Sequence, residues 1–187
     1  MPKTKQARFT TPRGEAVWPH LNTPDRKFVG EGDPGIFKTD LRVKTEDVQD
    51  LLEKLEMQRD DWADMERVDS RAPLPWKEEL DEDGQPTGYT VMRFKQKEWI
   101  VSNGEKIPMR IKLLDSQREH IDAVVGKGST IRIAFNARGW KGTAGYGITL
   151  HPYAVQVIDL IEAAPSEISD FEVEEGGFVA SDHDGDF

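Results

Sequence analysis

The chain has 187 residues, of which 35 are acidic and 25 basic, giving a formal net charge of -10. The absence of cysteine excludes a disulfide framework, a thiolate zinc site and a cysteine nucleophile. The four histidines are scattered without metal-ligand spacing, so no metal or other cofactor is expected. No apolar run approaches the roughly 20 residues of a membrane span, and the N-terminus lacks a signal-peptide core, so we expect a cytoplasmic protein.

The acidic excess is concentrated in two segments of the chain. Residues 46–83 hold 15 acidic and 5 basic residues, and residues 159–187 hold ten carboxylates and no Lys or Arg. The remainder, residues 1–45 and 84–158, therefore carries a net charge of +10. The overall negative charge by itself argues against a polyanionic partner. Because the negative charge is concentrated in two segments, the basic remainder can still bind a polyanion.

The first third of the chain predicts loops, one strand and one helix. Residues 1–30 are rich in Lys, Arg, Pro and Gly, which is typical of an extended N-terminal arm with loops. Apolar and charged side chains then alternate over residues 36–43, which predicts a strand. Apolar residues next recur at spacings of three, four and seven, which predicts an amphipathic α-helix over about residues 46–67. Thr45 is suited to cap this helix, and Trp62 to pack it against the strands.

A period of two returns after the helix and predicts strands. A bulge is expected near Gln96, and the dipeptide Asn103-Gly104 is a strong hairpin signal. A Gly-rich loop around Trp140 separates the last two strands. About five mostly antiparallel strands and one helix indicate a mainly β protein with a small closed or nearly closed barrel, which buries one strand face without leaving edges. The strands predicted beyond the helix cover residues 87–101, 107–114, 131–135 and 148–161.

The C-terminal segment differs in kind from the rest. Residues 165–187 carry eight carboxylates and no Lys or Arg, a composition that predicts a disordered acidic tail. The expected organisation is therefore a folded domain over residues 1–164, followed by this tail.

Cationic and aromatic residues are interleaved along the predicted strands. Single-stranded nucleic acid is bound by this combination, because cations neutralise phosphates while exposed rings stack on bases. Trp140 is the strongest single candidate, since no apolar sequence neighbour suggests its burial. A solvated strand face explains any one basic residue as well, and Phe94 and Phe135 are expected in the core. The candidate DNA-binding residues are Phe37, Lys38, Arg42, Arg93, Lys95, Lys97, Trp99, Arg110, Lys112, Arg132, Arg138, Trp140, Lys141 and Tyr146.

Catalysis finds little support in the sequence. There is no phosphate-cradling Gly-Lys-Thr loop, no dinucleotide-binding glycine motif and no nucleophile elbow. The run Asp81-Glu82-Asp83 is read as a solvated loop, because consecutive carboxylates point apart. We therefore expect no enzyme. The alternative to a DNA-binding protein is an acidic protein-interaction adaptor, or a DNA mimic that binds no DNA itself.

Residues 32–41, 128–160 and 174–187 carry a resemblance to one known family, the single-stranded DNA-binding proteins of short-tailed (podovirus-type) bacteriophages. Residues 32–41 resemble that family's glycine-proline turn and first core strand. Residues 128–160 resemble its strand, tryptophan loop and strand. Residues 174–187 resemble the end of its acidic tail, which closes on a C-terminal Phe. Residues 60–86 match no pattern of the family, so no role is carried onto them.

The resemblance implies a five-stranded OB-fold core that coats single-stranded DNA in replication, recombination, repair and strand annealing. It also implies that the tail recruits phage DNA polymerase and helicase-primase, and that the protein forms a homodimer. Because tail and DNA are both polyanions, we expect them to compete for one cationic groove. The tail residues assigned to partner binding are Asp182, Asp184, Asp186 and Phe187.

Overall fold

A computed structural model of the chain describes residues 6–163, which form ten β-strands and one α-helix. The predicted tail and its residues Asp182, Asp184, Asp186 and Phe187 lie outside the described residues. The elements in chain order are β1 (Gln6–Thr10), β2 (Gly14–Asp25), β3 (Ile36–Lys44), α1 (Thr45–Met65), β4 (Trp76–Leu80), β5 (Pro86–Lys97), β6 (Trp99–Ser102), β7 (Glu105–Pro108), β8 (Lys112–Leu114), β9 (Thr130–Gly142) and β10 (Gly145–Asp159).

Eight of the strands belong to one sheet. Its order is β4-β5-β3-β2-β9-β10-β8, with β1 also paired to β9. All of these pairs are antiparallel except β8 with β10, and β6 and β7 form a separate hairpin. Beside β5 the sheet curls back on itself, because His151 Nδ1 on β10 lies 2.9 Å from the carbonyl oxygen of Lys95 on β5. Strands β2, β3, β5, β10 and β9 thus form a barrel whose backbone ladder stays open between β5 and β10.

Alternating residues of these strands form the core, as the period of two predicts. On β3, Leu41 and Val43 are buried, and on β9 Ile131, Ile133 and Phe135 are fully buried. The predicted core positions of Phe94 and Phe135 are confirmed, since both are fully buried and their rings meet edge to face at 5.2 Å between centroids. The opposite faces of the same strands point to solvent and are free to carry charge.

The helix was predicted within two residues at each end. Its buried stripe includes Val48, Leu55 and Trp62, so the predicted packing role of Trp62 is confirmed. The expected cap is wrong, because Thr45 lies inside the helix and no side chain caps it. The Thr45 hydroxyl instead lies 2.9 Å from that of Thr90 on β5. Among the described residues, no helix is long and apolar enough to cross a membrane.

Two segments predicted as loops are strands. Residues 6–10 and 14–25, expected to be an arm and loops, form β1 and β2. The segment around Trp140 continues β9 to Gly142, leaving only a short turn before β10. Glycine and proline content misled both predictions, since backbone pairing with distant strands outweighs local turn preference.

The middle of the chain follows its local signals more closely. The hairpin predicted at Asn103-Gly104 joins β6 to β7, and both residues have positive φ angles, 52° and 78°. The bulge expected near Gln96 is absent from the β3–β5 register, where Gln96 is buried opposite Phe37. The strand direction changes at Glu98 instead, whose N–H donates to the carbonyl oxygen of Gly35 at 2.8 Å.

Candidate nucleic-acid interface

The outer face of β3 and β5 carries four charged side chains in two adjacent rows. In the antiparallel register Lys38 pairs with Lys95, and Asp40 pairs with Arg93. The intervening residues of both strands are buried, so these four side chains face outward. Together with Trp18 of β2 they line a depression of about 380 Å³.

Some cations of this face are paired within the protein and others are not. Lys38 Nζ lies 2.5 Å from Asp25 Oδ2, and Arg93 Nε lies 3.4 Å from Asp40 Oδ1. Asp25 accepts hydrogen bonds from the Lys38 ammonium and from the Lys27 backbone N–H, and these hold the pKa of Asp25 below its usual value. Lys95 forms no ion pair with any of residues 6–163. Within residues 6–163, no carboxylate competes with a phosphate for this cation.

The positive surface continues from β5 onto β10 and β9. His151 lies at this junction, and burial lowers its pKa, opposed by its contact with the Lys95 carbonyl. The positive charges of Arg138, Lys95 and Lys97 lower that pKa further. Arg138 lies opposite Thr149 of β10, and Lys95 and Lys97 are exposed on β5, which contacts β10 through His151. Like Lys95, Lys97 and Arg138 have no carboxylate partner in the described part of the chain. We call the group Lys38, Arg93, Lys95, Lys97 and Arg138 the cationic belt.

Trp140 stands near the end of β9 and lies flat against glycine backbone. A Cβ atom on Gly147, its partner across the ladder, would fall 2.3 Å from Trp140 Cζ2. A Cβ on Gly142 would fall 2.6 Å from Cζ3 of the same ring. The ring can occupy this position only because residues 142 and 147 are glycines without a Cβ atom. The Trp140 side chain is nevertheless 39% exposed. An exposed indole held in place by backbone is suited to stacking on a base.

Two aromatic candidates cannot act as stacking surfaces. Phe37 is on the inward face of β3 and is 6% exposed. Tyr146 is 2% exposed, with its hydroxyl directly over Gly139, and burial raises its pKa. Both rings belong to the hydrophobic core, so their prediction as DNA-binding residues is corrected.

Arg42 is committed to a structural contact. Its Nε and Nη2 donate to both carboxylate oxygens of Glu79 at 2.8 and 2.9 Å, and the guanidinium lies 3.6 Å from the ring centre of Tyr89. The hydrogen bonds to Glu79 raise the pKa of Arg42. The side chain clamps β3 to the β4–β5 hairpin, and its charge is already neutralised. Its predicted role in DNA binding is therefore not supported.

Lys141 is also held by a carboxylate. Its Nζ lies 2.7 Å from Glu66 Oε2, just beyond the end of α1. The same region straps β10 to the loop after the helix, since the N–H of Tyr146 donates to the Ser70 carbonyl at 2.9 Å. The Lys141–Glu66 ion pair thus anchors the hairpin of β9 and β10 to the C-terminal end of α1.

The remaining candidates occupy other parts of the surface. Trp99 is half-buried in the β6–β7 hairpin, with Lys106 Nζ 4.3 Å from its ring centre. Arg110 and Lys112 line a second depression of about 730 Å³, beside the core residue Phe37. Arg132 donates through Nε to the Thr11 carbonyl oxygen at 3.1 Å, which ties β9 to the segment before β2.

The candidates omitted one exposed ring on the same surface. Trp18 is 67% exposed at the edge of the depression beside Lys38 and Lys95. A signal for it exists in the sequence, since Trp18 precedes Pro19, and a proline inside a strand marks a bulge or an edge. The composition of residues 1–30 concealed this signal by suggesting a loop.

A mainly β, partly open barrel of five principal strands is an OB-like fold, as predicted. Here its outer face carries cations and exposed indoles. Comparison with solved structures finds similar folds in two single-stranded DNA-binding proteins of bacteriophages. The structure of gp2.5, a single-stranded DNA-binding protein encoded by bacteriophage T7, superposes with a TM-score of 0.70 at 19% identity, covering 94% of this chain and 100% of that one. The single-stranded DNA-binding protein of bacteriophage Enc34, in complex with single-stranded DNA, gives a TM-score of 0.60 at 14% identity, covering 89% and 99%. No protein-family model matches the sequence, and no curated protein matches it closely.

Proposed function

We propose that this protein binds single-stranded DNA across the cationic belt, as a phage-type single-stranded DNA-binding protein. The observation that carries the proposal is a group of three exposed cations on β5 and β9, the strands on either side of β10 in the OB-like barrel. These cations are Lys95, Lys97 and Arg138, and none has a carboxylate partner among residues 6–163. Trp140, exposed and backed by glycine, supplies a stacking surface two residues beyond Arg138 on β9. In this proposal the cations bind the phosphates and Trp140 stacks on a base.

The biological role that fits this surface is the coating and protection of single strands. Base stacking is tolerant of sequence because every base presents a π-face, and phosphate contacts read no sequence at all. A protein that binds in this way serves replication, recombination, repair and strand annealing alike. We place it in the cytoplasm of the bacterial host.

Residues 165–187 are proposed to regulate this binding. Their eight carboxylates match phosphates in charge, so the tail can occupy the cationic belt until DNA displaces it. The displaced tail, with Asp182, Asp184, Asp186 and Phe187, then recruits the phage polymerase and helicase-primase. A homodimer that exchanges tails is part of the same proposal.

The test is a binding titration of the full chain with a labelled single-stranded oligonucleotide at about 50 and 200 mM salt. We expect binding that weakens as salt rises, with weaker binding to duplex of the same length. Arg42→Lys serves as a control. This variant should leave the affinity for DNA unchanged, because Arg42 is already bound to Glu79. Failure to bind at either salt concentration would refute the proposal and favour the protein-interaction adaptor or DNA mimic, whose working surfaces would be the helix α1 and the acidic tail.

A further inference from the structure

Besides Trp140, the surface of the barrel carries an exposed tryptophan that is not among the DNA-binding residues predicted from the sequence. Trp18 of β2 is 67% exposed, although an indole is usually buried when the core can accept it. Its φ angle is +51°, in the left-handed region that bulky residues rarely occupy. A conformation of this kind persists only where surrounding structure enforces it, and such positions cluster at functional sites.

The β2–β3 ladder shows what enforces this conformation. Val17 pairs with Asp40 and His20 pairs with Lys38, so three steps along β2 are matched by two along β3. The extra residue makes a bulge at Trp18 and Pro19, and a bulge re-aims the side chain it carries. Here the indole is directed over the outer face of β3 instead of into the core.

The position of the ring is reinforced from a second element. Lys127 Nζ lies 4.8 Å from the centre of the Trp18 ring, within the range of a cation–π contact. Lys127 sits in a fixed turn, because Gly128 N–H donates to the Ala16 carbonyl at 2.9 Å and Gly126 N–H to that of Ile161 at 2.7 Å. The ring is thus flanked by a cation whose own backbone is tied to β2.

The depression beside Trp18 has the chemistry of a nucleotide. Its charged lining consists of Asp40 and three residues of the cationic belt, Lys38, Arg93 and Lys95. Its volume, about 380 Å³, is in the range that small-molecule sites occupy. An apolar ring at one edge and cations along the other suit a flat base attached to a phosphate.

We propose that Trp18 and Lys127 form a base-stacking subsite for single-stranded nucleic acid, separate from Trp140. This inference rests on the proposed function and extends the interface from β9 and β10 across β5 and β3 to β2. An unpaired base stacks on the indole, and its phosphate lies against Lys95, which has no ion pair among residues 6–163. Trp140 and Trp18 then mark two ends of one binding surface.

The test compares two probes of equal length, an oligothymidylate of about 16 nucleotides and a deoxyribose-phosphate oligomer that lacks bases. Trp18→Ala should raise the Kd for oligothymidylate roughly 5- to 150-fold, while Trp18→Phe restores most of the affinity. Binding of the abasic oligomer should change little, because it has no base to stack. Phe28→Ala is the matched control, since Phe28 is 89% exposed with Lys27 Nζ 5.5 Å from its ring, but it does not line the depression.

Folding effects are separated from binding effects by Trp18→Gly. Glycine adopts a positive φ without steric cost, so this variant should keep the wild-type melting temperature while losing the same affinity as Trp18→Ala. Equal losses on both probes, equal losses for Phe28→Ala, or no loss for Trp18→Gly would overturn the subsite. If the wild-type chain binds neither probe, the proposed function fails, and the subsite fails with it.

Discussion

The position of the Trp140 ring can be tested without removing the ring. In Gly147→Ala the new Cβ would fall 2.3 Å from Cζ2, 2.7 Å from Cε2 and 2.8 Å from Cη2 of the indole. An ordinary contact begins near 3.4 Å, so the ring must move by about 1 Å or rotate away from β10. The φ angle of Gly147 lies outside the positive region, so alanine meets no backbone strain there. The three atoms nearest to the new Cβ all belong to the indole, so the substitution acts first on the ring.

The expected magnitude follows from what the displaced ring loses. A base stacked on an aromatic ring is worth about 1–3 kcal/mol, and immobilising a freed side chain on binding costs about 0.5–1.5 kcal/mol. Gly147→Ala should therefore weaken binding to an oligothymidylate by about 0.5–1.5 kcal/mol, and Trp140→Ala by about 1–3 kcal/mol. Fluorescence anisotropy of a labelled oligonucleotide measures both. Circular dichroism melting checks that each variant folds.

Independent support should come from Gly142→Ala, whose Cβ would meet the other side of the ring at 2.6 Å. We expect neither Gly142→Ala nor Gly147→Ala to weaken binding further when Trp140 is already alanine, because the ring that both substitutions displace is then gone. Unchanged affinity in Gly147→Ala, alongside a large loss in Trp140→Ala, would refute the idea that the glycines position the ring. Unfolding of Trp140→Ala would show that the indole is structural.

Three further outcomes are expected. Deleting residues 166–187 should tighten binding at low salt, with a difference that shrinks as salt rises; unchanged or weaker binding at low salt contradicts tail competition. In that shortened chain, Lys95→Ala should reduce the slope of log affinity against log salt by about 0.7, as one phosphate contact is lost, whereas Lys54→Ala on α1 should leave the slope unchanged. The Arg42 hydrogen bond holds the pKa of Glu79 below its usual 4.5, so this stabilisation is full above that pH and is lost as pH falls through the lower folded value. The melting temperature of Glu79→Gln should consequently lie below that of the wild type at neutral pH and converge with it in acid. A difference in melting temperature that does not change with pH would contradict a stabilising role of the Glu79–Arg42 pair.

Local patterns were sufficient to predict much of the architecture. The spacing of apolar residues placed α1 within two residues of its observed bounds, and the Asn103-Gly104 hairpin was predicted because those residues adopt positive φ readily. Alternation along the strands also assigned Phe94 and Phe135 to the core. These features depend on neighbours a few positions away, so one sequence contains the information needed.

The N-terminal strands could not be predicted in the same way. Pro19 and Pro24 interrupt β2, and its ladder with β3 is irregular at both places. Strand β1 is short and is held by pairing with β9, more than 120 residues away. Local preference is weak in such segments, and the distant partner supplies the hydrogen bonds that define them.

The amino-acid sequence alone identified the basic portion of an acidic chain and the cationic faces of its strands. Only the tertiary structure decided which of those cations are free, because ion pairs join residues far apart in the chain. Arg42 meets Glu79 and Lys141 meets Glu66, while Lys95 meets no carboxylate among residues 6–163. The exposure of Trp18 was likewise decided by a bulge that exists only when β2 pairs with β3. Charge is a property of each residue, but its availability depends on how the strands are ordered in the barrel.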